Sequence, residues 1–315
     1  KDGNFYVSEA FKKGASLAIV NKIKNLNKKN KQIKVSNTLE FLTKSSKIVR
    51  ENFGGKIIAI TGSCGKTSLK ELLGNTINKY STATFSPKSF NNKYGVPLSL
   101  FNLNLNHKNG VFEVGMDKKG EIDFLSKIIK PDLPVITNVS YAHAKNFQNI
   151  NQIANAKSEI INNINKNGSI VLNADDEFFN KHKKMALYNK LKIYSFSLNK
   201  KNTNVYIKKI IKKKNKYKII INANKKDKYF FVESIFENNL KNILATIAVI
   251  SILKDINKLN RNIFFKIKTP KGRGDISKIK IKRKIIKFID ESYNANPLSV
   301  RSAIKNFDLI KKGSS

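Results

Sequence analysis

An apolar run, Ile57-Ile58-Ala59-Ile60, leads into Thr61-Gly62-Ser63-Cys64-Gly65-Lys66-Thr67-Ser68, and Leu69, Leu72 and Leu73 follow at helical spacing. No other stretch restricts the fold as much. A short continuous apolar run predicts a buried parallel strand, and the glycines permit a turn too tight for other residues. Strand, tight loop and helix in that order need a sheet to sit in. Such a loop points successive N–H groups at a phosphate, and the helix N-terminus adds partial positive charge. Gly62, Ser63, Cys64, Gly65, Lys66, Thr67 and Ser68 are therefore candidate nucleotide-binding residues for ATP or GTP. Lys66 would reach the β- and γ-phosphates and the Thr67 hydroxyl would ligate Mg²⁺. Ile60 stands where the common G-x-x-x-x-G-K-[ST] form has its first glycine. Cys64, the chain's single cysteine, has no base beside it in sequence and reads as a small loop residue.

Beyond the loop, strand candidates at 57–60, 111–114, 134–138, 169–172 and 192–196 alternate with helices, including 150–164. That alternation predicts an α/β fold with a parallel sheet covered on both faces. Residues 204–232 switch to β-rich alternation, an antiparallel extension, and a helix over 240–253 follows. Upstream, the pattern predicts a helix over Ser8–Lys13, strands at 17–20 and 35–37, and a helix N-capped by Thr38 that runs through Arg50. Downstream of Pro270 it predicts a strand over 285–289 and a helix from Leu298. These shifts divide the chain into an incomplete N-terminal α/β part (1–36), a central P-loop unit (37–268) and a C-terminal part (269–315) too short to complete a nucleotide-binding fold.

The formal charge of +39 invites a nucleic-acid reading, yet only five of the basic residues are arginine, the residue favoured for bidentate base and phosphate contacts. Lysine is scattered along the chain among asparagine and isoleucine, so no specific nucleic-acid partner is expected. No apolar run approaches the roughly 20 residues that span a bilayer, and the N-terminal Lys-Asp-Gly-Asn has no leader pattern. A cytoplasmic monomer is the expectation.

Four features beside the loop suggest phosphate and metal chemistry. Glu113 ends a strand candidate, where open sheets hold ligands, and could complete a Mg²⁺ shell with Thr67; otherwise it faces solvent. His143 follows the next strand closely. Lys157 sits on the following helix between small residues, either packed or simply solvated. Residues 86–98, with Asn91 and Asn92, form a turn-rich segment that is a surface loop or a substrate contact.

Taken together, T-G-S-C-G-K-T-S, N-N-K-Y-G-V-P-L, F-E-V-G-M, T-N-V-x-x-A-H, L-N-A-D-D and D-E-S-Y-N-A-N-P resemble the Mur ligases. Within that family they are most similar to the members that add D-alanyl-D-alanine to UDP-N-acetylmuramoyl-tripeptide. The likeness runs over nearly the whole chain, and both ends fall short of the family's three-domain plan. That plan implies a partial N-terminal UDP-substrate domain (1–36), a central ATPase domain (37–268) and a partial C-terminal Rossmann-like domain (269–315).

The resemblance implies ATP and Mg²⁺ as cofactors, with UDP-N-acetylmuramoyl-tripeptide and D-Ala-D-Ala as substrates. Thr67 and Glu113 would hold the Mg²⁺ bridging the phosphates; His143 and Lys157 would serve a second metal, the lysine as its carbamate. Asn239 and Asn242 match an adenine-contacting H-N-x-x-N whose histidine is Asn238 here. Arg273 and Asp290 match nucleotide-facing residues of the C-terminal domain, while Asn91, Asn92, Tyr293 and Asn294 would approach substrate. The implied reaction forms an acyl phosphate that the dipeptide amine then attacks, with Lys66, Lys157 and His143 as the catalytic set. A folylpolyglutamate synthase, a nucleic-acid-dependent ATPase and a non-catalytic remnant are the competing readings.

Overall fold

A computed structural model describes residues 2–24, 26–141, 146–164, 167–281 and 284–312. The expected sheet is present and larger than predicted. Nine strands run in the order β11-β10-β9-β8-β7-β6-β3-β5-β4, with β3 at Lys56–Thr61, β4 at Ala83–Phe85, β5 at Asn109–Glu113, β6 at Leu133–Ile136, β7 at Ser169–Asn173, β8 at Lys192–Ser197, β9 at Val205–Lys213, β10 at Lys216–Ala223 and β11 at Lys226–Val232. Strands β3 to β8 pair in parallel and β9 joins β8 in parallel; β10 pairs antiparallel with both β9 and β11, so within this sheet β10 alone runs against the other strands. The β-rich alternation at 204–232 is thus a three-stranded edge fused to the parallel sheet.

Strand β3 shows why both faces are covered. Successive side chains point to opposite faces, so Ile58 and Ile60 enter one core with α3 (Lys66–Ile77) and α8 (Glu237–Leu253). Ile57 and Ala59 enter the other core, which includes residues of α4 (Gly95–Phe101), α5 (Glu121–Ile129) and α6 (Ile150–Ser158). All four side chains are completely buried, which is why the run reads as continuously apolar.

The N-terminal part holds α1 (Val7–Lys12) and a small parallel pair, β1 (Ala18–Val20) with β2 (Gln32–Lys34), around Val7, Phe11 and Val20. The strand expected at 35–37 therefore lies three residues earlier. The Val35 amide makes one further bond to the Val20 carbonyl, at 2.8 Å. The chain then turns, because Asn37 caps α2 (Thr38–Asn52) by accepting from the Leu39 and Glu40 amides. Thr38 was the expected cap. Its shorter neighbour in the ranking gives way to Asn37, asparagine being the stronger capping residue. The helix expected over 150–164 is α6 followed by a 3₁₀ turn over Glu159–Asn163. The turn-rich segment 86–98 is a loop only to Tyr94; Val96, Pro97 and Leu100 of α4 are buried.

Helix α7 (Phe179–Tyr188) covers β7 and β8. In the C-terminal part, β12 (Asp275–Ile281) and β13 (Lys284–Asp290) form an antiparallel pair, and α9 (Pro297–Lys312) starts with proline, which suits a first helical position.

Candidate nucleotide site

The glycine loop follows β3 and Glu113 ends β5, at the carboxyl ends of parallel strands where open α/β sheets bind ligands. The loop after β3 holds its shape through two glycines. Gly62 has φ +145°, and a Cβ there would come within 1.9 Å of Thr137 Oγ1; Gly65, at φ +81°, is the left-handed residue that opens α3. The segment after β6 clamps the loop from the side. Asn138 Oδ1 accepts from the Cys64 amide at 2.9 Å, Asn138 O accepts from the Ser63 amide at 2.9 Å, and Thr137 Oγ1 donates to Cys64 O at 2.7 Å. Ser63 Oγ donates to Ser140 O at 2.9 Å and accepts from the Ser140 amide at 2.8 Å. The first turn of α3 leaves its own N–H groups without intrahelical partners, which is the requirement for an anion site.

Lys66 Nζ donates to Gly62 O at 2.7 Å, folding the lysine over its own loop. Burial holds its ammonium below the ordinary lysine value, with Glu113 as the main opposing charge. Thr67 and Glu113, 46 residues apart, meet: Thr67 Oγ1 donates to Glu113 Oε2 at 2.7 Å, and Asn91 Nδ2 donates to Glu113 Oε1 at 2.7 Å. Thr67 and Glu113 are both buried. Asn91 therefore orients Glu113. Asn92 caps the start of α4 by accepting from the Tyr94 and Gly95 amides.

Hydroxyl and carboxylate oxygens are the donors a hard cation takes, and Mg²⁺ needs one or two carboxylates together with phosphate oxygens and waters. Thr67 and Glu113 fit that set. Among the described residues no group of three or more His, Cys, Asp or Glu converges. His143 lies outside the described residues.

Lys157, on α6, is 2% exposed. Burial pushes its amine well below the ordinary lysine value, and the neighbouring Lys66 charge pushes it further down. Asp176, whose own carboxyl burial raises, opposes that shift. The solvated alternative for Lys157 is excluded.

A cleft of about 740 Å³ opens beside the loop. Its walls include Ser63, Cys64, Gly65 and Ser68 from the loop, Asn239 and Asn242 from α8, and Arg273, Tyr293 and Asn294 from the C-terminal part. Asn242 is 9% exposed, and a Cβ on Gly65 would lie 3.5 Å from its Oδ1. The Arg273 guanidinium stacks on the Tyr293 ring at 4.1 Å. Asp290 is not part of this wall; its Oδ1 accepts from the Ser292 amide at 2.9 Å. Glu291 faces the cleft instead, its carboxyl raised by burial and by the charges of Asp275 and Asp290. Lys66, Thr67 and Glu113 also lie outside the cleft wall. Arg273 connects the two groups by donating to Ser89 Oγ at 3.3 Å, and Ser89 Oγ is 3.2 Å from Thr67 Oγ1.

Ser89, Thr137 and Asn138 were not singled out from the sequence. Asn138 had a usable signal, since a polar residue directly after a buried strand stands at the ligand-binding edge. Ser89 had none: its partners are 22 and 184 residues away.

A family profile described as Mur ligase middle domain matches residues 60–250. The UDP-N-acetylmuramoyl-tripeptide–D-alanyl-D-alanine ligase of Rickettsia prowazekii is 34% identical over 311 residues, covering 97% of this chain and 67% of that protein. The chain spans about two thirds of the length of the curated relatives it matches. Among solved structures, MurF from Acinetobacter baumannii superposes with a TM-score of 0.82 at 27% identity, covering 96% of this chain and 64% of that one. MurF from Thermotoga maritima in complex with ADP gives 0.80 at 26% identity, covering 96% and 68%.

Proposed function

Because this chain belongs to the Mur ligase family, we propose that it carries the ATP site of an amide ligase that joins D-alanyl-D-alanine to UDP-N-acetylmuramoyl-tripeptide. The observation that carries the reading is the Thr67–Glu113–Asn91 set placed behind a glycine loop whose other side opens on the cleft. In this reading Asn239 and Asn242 take the adenine end, the amides of 63–68 take the phosphates, and Lys66 turns from Gly62 O to the β- and γ-phosphates. Thr67 and Glu113 hold Mg²⁺, which supplies charge neutralisation for phosphoryl transfer when bound.

The tripeptide's terminal carboxylate attacks the γ-phosphorus of ATP, releasing ADP and leaving an acyl phosphate. The dipeptide amine then adds to the activated carbonyl, loses a proton and expels inorganic phosphate. Lys66 and Arg273 place positive charge where two anions must approach, and Asn91 keeps Glu113 aimed. Tyr293 and Asn294 stand where the second substrate would enter.

Lys157 has the chemistry for carbamate formation: burial lowers its amine well below the ordinary lysine value, which favours the unprotonated nitrogen that adds to CO₂ with loss of a proton. A ¹³C-bicarbonate NMR signal absent from Lys157→Ala would support this, and an identical signal in the variant would refute it. Residues 37–268 as an ATPase unit flanked by two partial domains is the matching division of the chain. Among the described residues no helix is long and apolar enough to cross a membrane.

The deciding experiment measures phosphate release with ATP, Mg²⁺ and each substrate pair. Release that requires both the UDP-tripeptide and D-Ala-D-Ala supports the reading. Release with a folate and glutamate pair, or stimulation by nucleic acid, would replace it.

A further inference from the structure

Among the largest completely buried side chains of the described residues is a lysine that none of the proposed chemistry uses. Lys70 lies one turn beyond Thr67 on α3 and is 0% exposed. Its ammonium donates to Ser86 O at 2.6 Å and to Lys88 O, and it forms an ion pair with Glu71 Oε1 at 3.0 Å. A buried charge is tolerated when it is paired and hydrogen-bonded, and Lys70 has both an ion-pair partner and two carbonyl acceptors.

The carbonyls it holds belong to the loop between β4 and α4. Lys88 has φ +46°, a left-handed conformation that side-chain-bearing residues seldom adopt. Strained backbone persists where its surroundings over-determine it, and here the buried ammonium under the Lys88 carbonyl is that constraint. The next residue is Ser89, beside Thr67 Oγ1, and two further on is Asn91, which holds Glu113. Ser86 is also anchored through its amide to Val111 O at 3.0 Å, just before Glu113 on β5.

Resting on the proposed Mg²⁺–ATP site, we infer that Lys70 is a positioning residue that pins the 86–89 turn from beneath and so sets Ser89 and Asn91 against the metal-ligand pair. Lys70 touches neither nucleotide nor metal. Its effect passes through backbone carbonyls, so losing it loosens the aim of Glu113 and leaves the nucleotide-facing amides in place.

The test titrates Mg²⁺ against binding of a fluorescent ADP analogue, with a parallel measurement in EDTA. Lys70→Met should raise the Mg²⁺ midpoint about tenfold or more while EDTA binding stays within about twofold of wild type. Lys88→Gly removes the left-handed strain and should behave as wild type alone; combined with Lys70→Met it should recover part of the lost Mg²⁺ response. Should Lys70→Met not fold, Lys88→Val disturbs the same turn from the exposed side, because a β-branched residue resists positive φ, and should raise the midpoint likewise. An unchanged midpoint in Lys70→Met, or in Lys88→Val where the first does not fold, overturns the inference. Equal losses with and without Mg²⁺ also overturn it, since they mark general damage. A wild-type protein without Mg²⁺-dependent binding overturns the underlying site and the inference together, and is told apart because the failure appears before any substitution.

Discussion

The central sheet and the C-terminal segment both face the cleft, but they are held by different physics. Around the loop after β3, ligand-facing groups are fixed by short bonds between buried partners, such as Thr67 to Glu113 and Asn91 to Glu113, each at 2.7 Å. The strands beneath contribute completely buried side chains to two cores. The segment after Pro270 is a two-stranded hairpin and a helix, with Ile276, Ile279, Ile285, Phe288, Ile304 and Phe307 all exposed. Its links to the loop region are Arg273 to Ser89 at 3.3 Å and Asn296 Nδ2 to Cys64 Sγ at 2.9 Å. A two-stranded hairpin is marginal by itself in water. The central region is thus the firmly held wall of the cleft, and the C-terminal segment is the wall held by fewer and longer contacts.

The largest expected effect is in the central region. Lys66→Ala should lower ATP-driven phosphate release by about 10²–10³-fold, the scale of removing one preorganised group that stabilises developing charge. The thermal midpoint should hold, because the ammonium's hydrogen bond is to the Gly62 carbonyl of its own loop. Near-normal turnover in a folded variant would remove the loop from the chemistry and dissolve the contrast.

Acid should expose the same contrast. His182 on α7 is 2% exposed, and burial lowers its pKa to about 4, its Nε2 lying 3.4 Å from Ala154 O. The unfolded chain takes up this proton near the ordinary value of 6.5. Between those values the unfolded state binds more protons, so stability falls as pH drops through 6.5 and the fall levels off below about 4. The contribution is up to about 3 kcal/mol. Denaturant unfolding at several pH values should show a flatter acid limb for His182→Leu. Equal slopes in both proteins would show that the buried imidazole is not part of the central region's acid sensitivity.

A smaller, direct comparison sets Glu113→Gln against Arg273→Ala. Losing an anionic ligand from a hard-cation site should raise the Mg²⁺ midpoint of nucleotide binding about tenfold. Losing Arg273 should change that midpoint only about twofold, since its link to Thr67 runs through one 3.3 Å contact to Ser89. Arg273→Ala should act on turnover instead. Equal Mg²⁺ shifts from the two variants would place the C-terminal segment inside the metal site.

How far the sequence reveals this site follows the range of the interactions. The loop and its strand and helix are legible because phosphate binding, tight turning and burial are all written into adjacent residues. Glu113 is readable as a strand-end carboxylate with Thr67 or solvent as its alternatives, and the structure decides between them because β3 and β5 are parallel neighbours. Asn91 was recognised as special but given a substrate role, because sequence does not show that its amide spans 22 residues to a carboxylate. Lys70 was invisible for a stronger reason: among so many lysines, composition gives no means of telling a sealed ammonium from a solvated one. Asn37 takes the cap in place of Thr38 because, of two adjacent capping residues, asparagine is the stronger.

The smallest effect tests the weakest link. Asn296 donates to the Cys64 sulfur and also receives the Ser299 amide at 3.0 Å, so it joins the start of α9 to the phosphate loop. Thiol sulfur is a weak acceptor, and Cys64 is only partly buried. In nucleotide-free protein a double-mutant cycle of Cys64→Ala with Asn296→Ala should therefore give a coupling of about 0.5 kcal/mol or less, at the low end for a hydrogen bond. Adding Mg²⁺–ATP should increase that coupling if the segment closes upon the bound nucleotide, because the ordering that the weak bond cannot sustain is then supplied by ligand contacts. A coupling of about 2 kcal/mol without nucleotide would contradict the contrast between the two regions. It would mean that the C-terminal segment is already locked to the loop, and that the cleft is as pre-organised on that side as on the sheet.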